Sequence, residues 1–328
     1  MRTATSKSPP VAKVNRNLPR HRCSVLDSGV KLLSAFSAFT LLAIHSASAQ
    51  LPRQSGAENA SALVATIPFA ADAGTSILLS VSLNRGSPEW WALDSGASDC
   101  IVDRSVAAKA RLVTRGGRGL TGTGKGKVHL DSIRSPISLE LAGKSLPTCA
   151  HFGALDLRGV AGNGARAISG ILGYEFFSRY IVRIDFAKHK LTLYDPAKYR
   201  YMGNGDTLQL RFDGKLPRVD VRIRTARRPE VIRHLIVDTG SEDAVDDSTV
   251  RRSPNGPAIT ISTTGLGASY QAAIGTLDTV RIGRSVFIGL PGVASDIGIV
   301  GNAIWSRFVC VFDYAHKRLI IEAGAEKR

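Results

Sequence analysis

Two segments of the chain alternate apolar and polar residues, and each is followed by an apolar run that ends in an acid. SILLSVSL (76–83) and PRVDVRIR (217–224) alternate with the period of two that is typical of half-buried strands. After a polar turn come WWALDSG (90–96) and HLIVDTG (234–240). No segment after residue 50 has a long amphipathic helical period. The pattern predicts a protein built mainly of short β-strands.

A long internal repeat relates the two halves of the chain. GILGYEFFSRYIVRIDFAKHKLTL (170–193) aligns without a gap to GIVGNAIWSRFVCVFDYAHKRLII (298–321). Each copy predicts a G-h-h-G segment (h is apolar), a short aromatic-rich helix and a closing hairpin. Asp185 and Asp313 precede the hairpin turns, where we expect their carboxylates to accept hydrogen bonds from the turn backbone.

The repeat divides the chain into two predicted lobes, residues 64–200 and 207–328. Each lobe would contain a hairpin, an Asp-x-Gly turn, a glycine-rich middle, the G-h-h-G segment and the closing hairpin. The polar stretch YRYMGNGD connects them, and residues 50–63 are predicted to form a flexible N-terminus. A chain of 328 residues is long enough for two such lobes.

Residues 1–49 have the pattern of a signal peptide. They hold seven basic side chains and one acidic one, followed by the apolar run LLSAFSAFTLLAI (32–44) and the small residues ASA (47–49). The apolar run is short for a membrane span, so an uncleaved anchor is the less favoured alternative. We therefore expect a secreted or periplasmic protein that has no stable membrane span once the leader is removed.

Charge, histidines and cysteines exclude several other functions. The formal net charge of +16 falls to +10 without the leader, and the basic residues are dispersed, so no nucleic-acid partner is expected. The histidines have no metal-ligand spacing, and we expect no metal or cofactor. Cys100, Cys149 and Cys310 remain after the leader and can form at most one disulfide, whose pairing stays open.

The two Asp-x-Gly turns carry the candidate chemistry. Asp94 and Asp238 each end an apolar strand, where a carboxylate is costly unless hydrogen bonds or charges compensate it. If the halves pack about a pseudo-twofold axis, the two carboxylates meet and share one proton. Such a pair can hold a water molecule, and one carboxylate can act as its general base while the other, protonated, binds a peptide carbonyl.

The residues after each aspartate suit this arrangement. Ser95 and Thr239 place a hydroxyl directly beside each carboxylate, where it can brace one loop against the other. Gly96 and Gly240 have no Cβ, so backbone amides can approach the carboxylates. We expect the glycines of the two G-h-h-G segments to let these segments pass close beneath the turns. They are Gly170, Gly173, Gly298 and Gly301.

These motifs resemble those of the retropepsin and pepsin type of aspartic peptidase. DSGASDCIV (94–102) resembles the retropepsin active-site turn, and the segment that starts at residue 171 resembles the retropepsin C-terminal helix and hairpin. The resemblance implies a bilobal acid-protease fold with two pseudo-twofold-related, β-barrel-like lobes. It also implies an Asp94/Asp238 dyad at the lobe interface and endopeptidase activity on peptide or protein substrates without a metal or cofactor.

Two glycine-rich stretches are candidate flaps by the same resemblance. Their glycines are Gly122 and Gly124 in the first half and Gly265 and Gly267 in the second. The first half departs from pepsin in having no flap tyrosine. The second turn departs from the family in its acids, which we expect to be solvated loop residues: Glu242, Asp243, Asp246 and Asp247.

Three functional classes fit the sequence. The prediction is an active endopeptidase that is complete in one chain and works as a monomer. One alternative is a homodimer in which each lobe pairs with its equivalent in another chain. The other is a catalytically silent peptide-binding protein with the same fold, because both aspartates alone do not prove activity.

The leader pattern predicts that the mature protein lacks residues 1–49. Mass spectrometry of the protein from the periplasm or culture medium should find an N-terminus at or close to Gln50. Recovery of the intact 1–49 segment in the membrane fraction would instead identify the uncleaved anchor.

Overall fold

The computed structural model describes residues 59–71, 76–121, 127–146, 151–158, 166–225, 229–250, 260–263 and 270–324. The predicted leader, most of the predicted flexible N-terminus and Cys149 lie outside these ranges. Cys100 and Cys310 are buried, and the Cys310 thiol donates to the Trp305 carbonyl at 3.5 Å.

Short strands make up most of the described chain. In the first half they are β1 (Leu63–Pro68), β2 (Leu78–Leu83), β3 (Pro88–Leu93), β4 (Cys100–Asp103), β5 (Thr114–Thr121), β6 (Lys127–Ile133), β7 (Leu139–Leu141), β8 (Lys144–Leu146), β9 (Phe152–Leu155), β10 (Gly170–Leu172), β11 (Ile181–Asp185) and β12 (Lys190–Tyr194). In the second half they are β13 (Asp206–Gln209), β14 (Arg211–Asp213), β15 (Leu216–Arg224), β16 (Val231–Val237), β17 (Val245–Asp246), β18 (Thr260–Thr263), β19 (Tyr270–Ile282), β20 (Ser285–Val293), β21 (Ile299–Val300), β22 (Phe308–Asp313) and β23 (Arg318–Ala323).

The helices of the described ranges are short. They are a 3-10 helix (Ala60–Ala62), α1 (Arg104–Lys109), α2 (Tyr174–Arg179) and α3 (Asn302–Trp305). None of these helices has the length and apolar character needed to cross a bilayer. The prediction of a mainly β protein is therefore confirmed.

Each half of the chain contributes one sheet of its own. A nine-stranded sheet in the order β5-β6-β9-β4-β10-β3-β2-β7-β8 uses strands of the first half only. An eight-stranded sheet in the order β14-β15-β16-β21-β17-β20-β19-β18 uses strands of the second half only. An additional pairing between β15 and β19 closes six of its strands into a barrel.

A third sheet joins the two halves. Its six strands have the order β1-β12-β11-β22-β23-β13, and its central pair consists of the first strands of the two repeated closing hairpins. β11 and β22 run antiparallel with Ile184 opposite Cys310, and both residues are fully buried. The two copies of the repeat therefore pair with each other through β11 and β22.

The alternating strands bury one face as predicted. In β15, Val219, Val221 and Ile223 are buried, while Asp220 and Arg222 between them are exposed. Trp91 of β3 and Trp305 of α3 are both fully buried in the same large core. Burial of side chains of this size is the main source of stability for the fold.

Residues 59–63 differ from the prediction of a flexible segment over 50–63. Asn59 is buried, and its side chain donates to the Arg200 carbonyl at 2.8 Å and accepts from the Arg200 amide at 3.0 Å. Ala62 is buried, and Leu63 begins β1. Residues 59–63 are therefore part of the fold, because Asn59 fixes them to the end of the first half.

The two repeated aspartates hold the hairpin turns as expected. The Asp185 carboxylate accepts from the Lys188 amide, and the Asp313 carboxylate accepts from the His316 amide, both at 3.1 Å. Asp313 is fully buried and also accepts from the Arg318 guanidinium at 2.8 Å. The buried charge is thus compensated on several sides.

Replacing Asp313 with alanine should strongly destabilise the protein. The change leaves the Arg318 guanidinium and the turn amide without their buried acceptor, which costs about 3–5 kcal/mol in comparable buried pairs. Urea denaturation should show this loss. The matched control is Asp213→Ala, because Asp213 also pairs with an arginine but its side chain is 72% exposed, and about 1 kcal/mol or less is expected there. Equal losses in both variants would contradict the assignment.

Candidate active site

Three neighbouring strands of the nine-stranded sheet position Asp94. β10 lies between β3 and β4, parallel to β3 and antiparallel to β4. Asp94 follows the last residue of β3, and its backbone amide donates to the Leu172 carbonyl of β10 at 3.0 Å. The turn that carries Asp94 therefore crosses from one side of β10 to the other at the end of this strand.

An equivalent set of three neighbouring strands positions Asp238 in the second half. β21 lies between β16 and β17, again parallel to the first and antiparallel to the second. The Asp238 amide donates to the Val300 carbonyl of β21 at 3.0 Å. Both aspartates thus occupy the same local structure, although they are separated by more than a hundred residues.

Reciprocal hydrogen bonds join the two turns. The Ser95 amide donates to the Thr239 hydroxyl at 2.9 Å, and the Thr239 amide donates to the Ser95 hydroxyl at 3.0 Å. Each hydroxyl then donates to the last carbonyl of the opposite strand, Ser95 to Val237 at 2.7 Å and Thr239 to Leu93 at 3.0 Å. All four bonds are buried, so they fix the separation of the two turns.

The two glycines make room for the carboxyl groups. A Cβ atom on Gly96 would lie 2.6 Å from Cγ of Asp238, and a Cβ atom on Gly240 would lie 2.6 Å from Cγ of Asp94. The same glycine amides donate within their own turns, to Asp94 at 2.8 Å and to Asp238 at 2.7 Å. Each carboxyl group therefore lies against the backbone of the opposite loop, where no side chain fits.

The last glycines of the G-h-h-G segments pass directly beneath the turns. A Cβ atom on Gly173 would lie 2.3 Å from the Asp99 carbonyl oxygen, and one on Gly301 would lie 2.4 Å from the Asp243 carbonyl oxygen. α2 and α3 start immediately after these glycines. The Asn302 side chain of α3 donates to the Thr239 carbonyl at 2.7 Å, which adds support to the second turn.

The environment favours one shared proton on the pair. Burial raises the pKa of Asp94 well above its ordinary value, and the charge and hydrogen bond of Asp238 raise it further. Burial also raises the pKa of Asp238, but hydrogen bonds from Gly240, Asp94 and Ser241 stabilise its ionised form. Backbone amides also stabilise ionised Asp94, so the arrangement favours one proton held between the two carboxyl groups.

The charges of both carboxyl groups act on a buried tyrosine, Tyr314, which the sequence analysis did not identify. Burial raises the pKa of Tyr314, and the charges of Asp94 and Asp238 contribute to the same shift. The Tyr314 ring packs against Phe177 and Phe212, with ring centroids 5.5 and 4.9 Å apart. This apolar packing lowers the local dielectric near the pair. The only signal in the sequence is the tyrosine that replaces Phe186 in the second copy of the repeat.

Two acids of the second turn are not the solvated residues that we expected. Asp247 is 2% exposed, and its carboxylate accepts from Arg233 at 3.0 Å and from the Thr249 amide at 2.8 Å. Its counterpart is Asp103, which follows Asp94 at the same spacing and accepts from the Ser105 amide at 2.8 Å. The repeated spacing was the signal that both acids hold a turn.

Asp246 is the second correction. It is 8% exposed, and burial together with the charges of Asp243 and Asp238 raises its pKa to about 8. Asp243 is half-buried, and Glu242 is exposed and accepts from the Ser76 hydroxyl at 2.6 Å. The expectation of solvation holds for Glu242 and is wrong for Asp246, because Asp246 lies on β17, which is paired on both sides in the barrel.

The candidate flap glycines lie outside the described residues. Gly122 and Gly124 fall in the sequence between β5 and β6, which pair antiparallel up to Thr121 and Lys127. Gly265 and Gly267 fall between β18 and β19, which also pair antiparallel. Each flap candidate thus connects two neighbouring strands of one hairpin.

A scan against protein-family models and a search of curated proteins both give no match to this chain. The site must therefore be interpreted from its own geometry. Within the described ranges, no group of three or more His, Cys, Asp and Glu side chains is placed to hold a metal ion. The two carboxyl groups lie side by side and share a proton, so together they could supply an acid and a base.

Replacing Asp94 with asparagine should stabilise the protein more at pH 7.5 than at pH 4.5. A carboxyl group whose pKa is raised by folding adds no penalty below the unfolded pKa of about 3.9 and opposes folding increasingly as the pH rises. Asparagine removes this penalty and can still donate to Asp238. Urea denaturation at both pH values measures the gain, and the exposed Asp213→Asn is the control. A loss of stability at pH 7.5 would contradict the buried proton-sharing pair.

Proposed function

We propose that this protein is an aspartic endopeptidase whose water molecule is activated by Asp94 and Asp238. The observation that carries the proposal is the reciprocal pairing of the two turns, in which each glycine faces the opposite carboxyl group. The raised pKa values of both aspartates add support, because a protonated and an ionised carboxyl group must coexist for this chemistry.

The proposal includes a bilobal fold with pseudo-twofold symmetry between lobes at 64–200 and 207–328. It is supported by the sheet that each half forms separately and by the equivalent three-strand arrangements, in which β10 and β21 are the middle strands. The sheet that combines β11 and β22 would lie at the junction of the lobes. In this arrangement the dyad is formed where the two Asp-x-Gly turns meet.

The proposed reaction uses the two carboxyl groups in different roles. Ionised Asp238 takes a proton from the water molecule, whose oxygen attacks the peptide carbonyl carbon. Protonated Asp94 donates to the carbonyl oxygen, and a tetrahedral gem-diol forms. The proton held by Asp238 then passes to the leaving nitrogen and the C–N bond breaks. One hydroxyl of the former gem-diol returns a proton to Asp94, which leaves a carboxylic acid and an amine as products. The rigid turns favour this step because they hold both groups in place before the substrate binds.

One chain supplies both halves of the dyad, which favours a monomeric enzyme over a homodimer of like lobes. The contact between Lys215 and Asp99 supports the same assignment, because it joins the second half of the chain to the first active-site turn within one chain. With the signal-peptide pattern, the proposal places the enzyme outside the cytoplasm, acting on peptide or protein substrates.

Asp94→Asn and Asp238→Asn should each lower peptidase activity by about 1,000-fold or more. The double variant should be little worse than either single variant, because groups that act as one unit are not additive. Cleavage of a quenched fluorescent peptide library at acidic and neutral pH measures the activity. Asp213→Asn is the control and should leave the rate unchanged, because Asp213 is an exposed surface residue.

A mixing experiment separates the monomer from the homodimer. In a single-chain dyad, mixing the two inactive variants restores nothing. If like lobes paired between chains, one single variant would remain active through an intact pair of identical aspartates. A wild-type protein that binds peptides and cleaves none of them would instead be the silent peptide-binding protein.

A further inference from the structure

A polar cavity lies beside the first active-site turn. Its volume is about 230 Å³, several times the roughly 30 Å³ that one water molecule occupies in the liquid. It is bounded by Asp99 from the first turn, by the β5–β6 hairpin and by the start of β9. Lys215, from the turn between β14 and β15, completes its wall, so both halves of the chain contribute to it.

The cavity wall carries more positive than negative charge. Arg118, Arg134 and Lys215 line it together with His151, whereas Asp99 is the only carboxylate among the described residues of the wall. Asp99 accepts from Arg118 at 2.5 Å and lies 3.8 Å from the Lys215 ammonium, whose closer partner is Glu175 at 2.5 Å. These acids hold two of the cations in place and leave the third uncompensated.

Arg134 is that third cation. It follows β6, its side chain is exposed, and no carboxylate within the described ranges forms an ion pair with it. A guanidinium group offers several donors in a planar fork that matches a carboxylate. Arg118 also keeps donors available, because the Asp99 contact uses one of its terminal nitrogens. The cavity therefore has the charge and the donors to bind an anionic group.

The cavity is close enough to Asp94 for a bound peptide to reach it. Asp99 follows Asp94 by five residues, which can span at most about 18 Å. An extended peptide advances by roughly 3.3–3.6 Å per residue. A substrate side chain within about five residues of the cleaved bond can therefore lie in the cavity.

We propose that this cavity is a specificity subsite for an aspartate or glutamate side chain of the substrate. The proposal rests on the endopeptidase function proposed above and adds the substrate class. Arg134 and Arg118 bind the carboxylate, while Asp99 and Lys215 fix the position of Arg118 and of the wall. Neutral glutamine has the same shape as glutamate but lacks the charge, so it should be a poorer ligand.

Cleavage-site profiling of a peptide library with the wild-type protein tests the proposal. We expect enrichment of aspartate and glutamate at one position within about five residues of the cleaved bond. A matched pair of peptides, with glutamate or glutamine at that position, should then differ about tenfold in kcat/KM. Arg134→Gln should lower this ratio to near one, and Arg134→Glu should favour a lysine peptide. Arg85→Gln, in the exposed β2–β3 turn, is the matched control and should keep the ratio.

The outcomes distinguish the subsite from the function itself. Equal cleavage of the two peptides, or a ratio unchanged in Arg134→Gln, would overturn the subsite and leave the endopeptidase proposal intact. Absence of cleavage of any library peptide by the wild-type protein would overturn both proposals.

Discussion

The reciprocal hydrogen bonds between Ser95 and Thr239 are the interaction on which the candidate site depends. They are buried polar links that join the two Asp-x-Gly turns directly, and each hydroxyl both accepts and donates. Because an amide, a hydroxyl and a carbonyl are satisfied on each side, the pair is stable in a buried setting. Without these hydrogen bonds, the two turns would lose the buried contacts that hold their acids next to each other.

Two neighbouring carboxyl groups would repel each other if both were ionised. The fold lowers this cost by sharing one proton and by directing the Gly96, Gly240 and Ser241 amides at the carboxylates. The apolar packing around Tyr314 raises the cost of the remaining buried charge, because apolar surroundings screen it less. A pair that is costly to ionise fully is also a pair in which one member stays an acid and the other a base. The same environment therefore opposes stability at high pH and suits the proposed chemistry.

The sequence predicted the β-rich class, the two equivalent turns and the hairpin roles of Asp185 and Asp313. These features depend on short stretches of sequence, and the turns and hairpins occur twice, so each copy of a pattern strengthens the prediction for the other. The burial of Asp246 could not be derived in the same way, because an acid-rich run looks solvated until its strand pairing is known. The packing of Tyr314 against Phe177 and the contacts of Lys215 with Glu175 and Asp99 also depend on how the halves pack. Residues 59–63 belong to the fold only through the long-range contact of Asn59 with Arg200.

We propose that Asp94 and Asp238 act as one unit. A crystal structure of the protein with a bound statine-type peptide, whose hydroxyl mimics the attacking water, is the sharpest test of this proposal. We expect the hydroxyl to lie within hydrogen-bonding distance, about 2.5–3.0 Å, of both carboxyl groups at once. A hydroxyl that lies away from the pair, or that contacts only one aspartate while the other faces elsewhere, would show that the two aspartates do not act together.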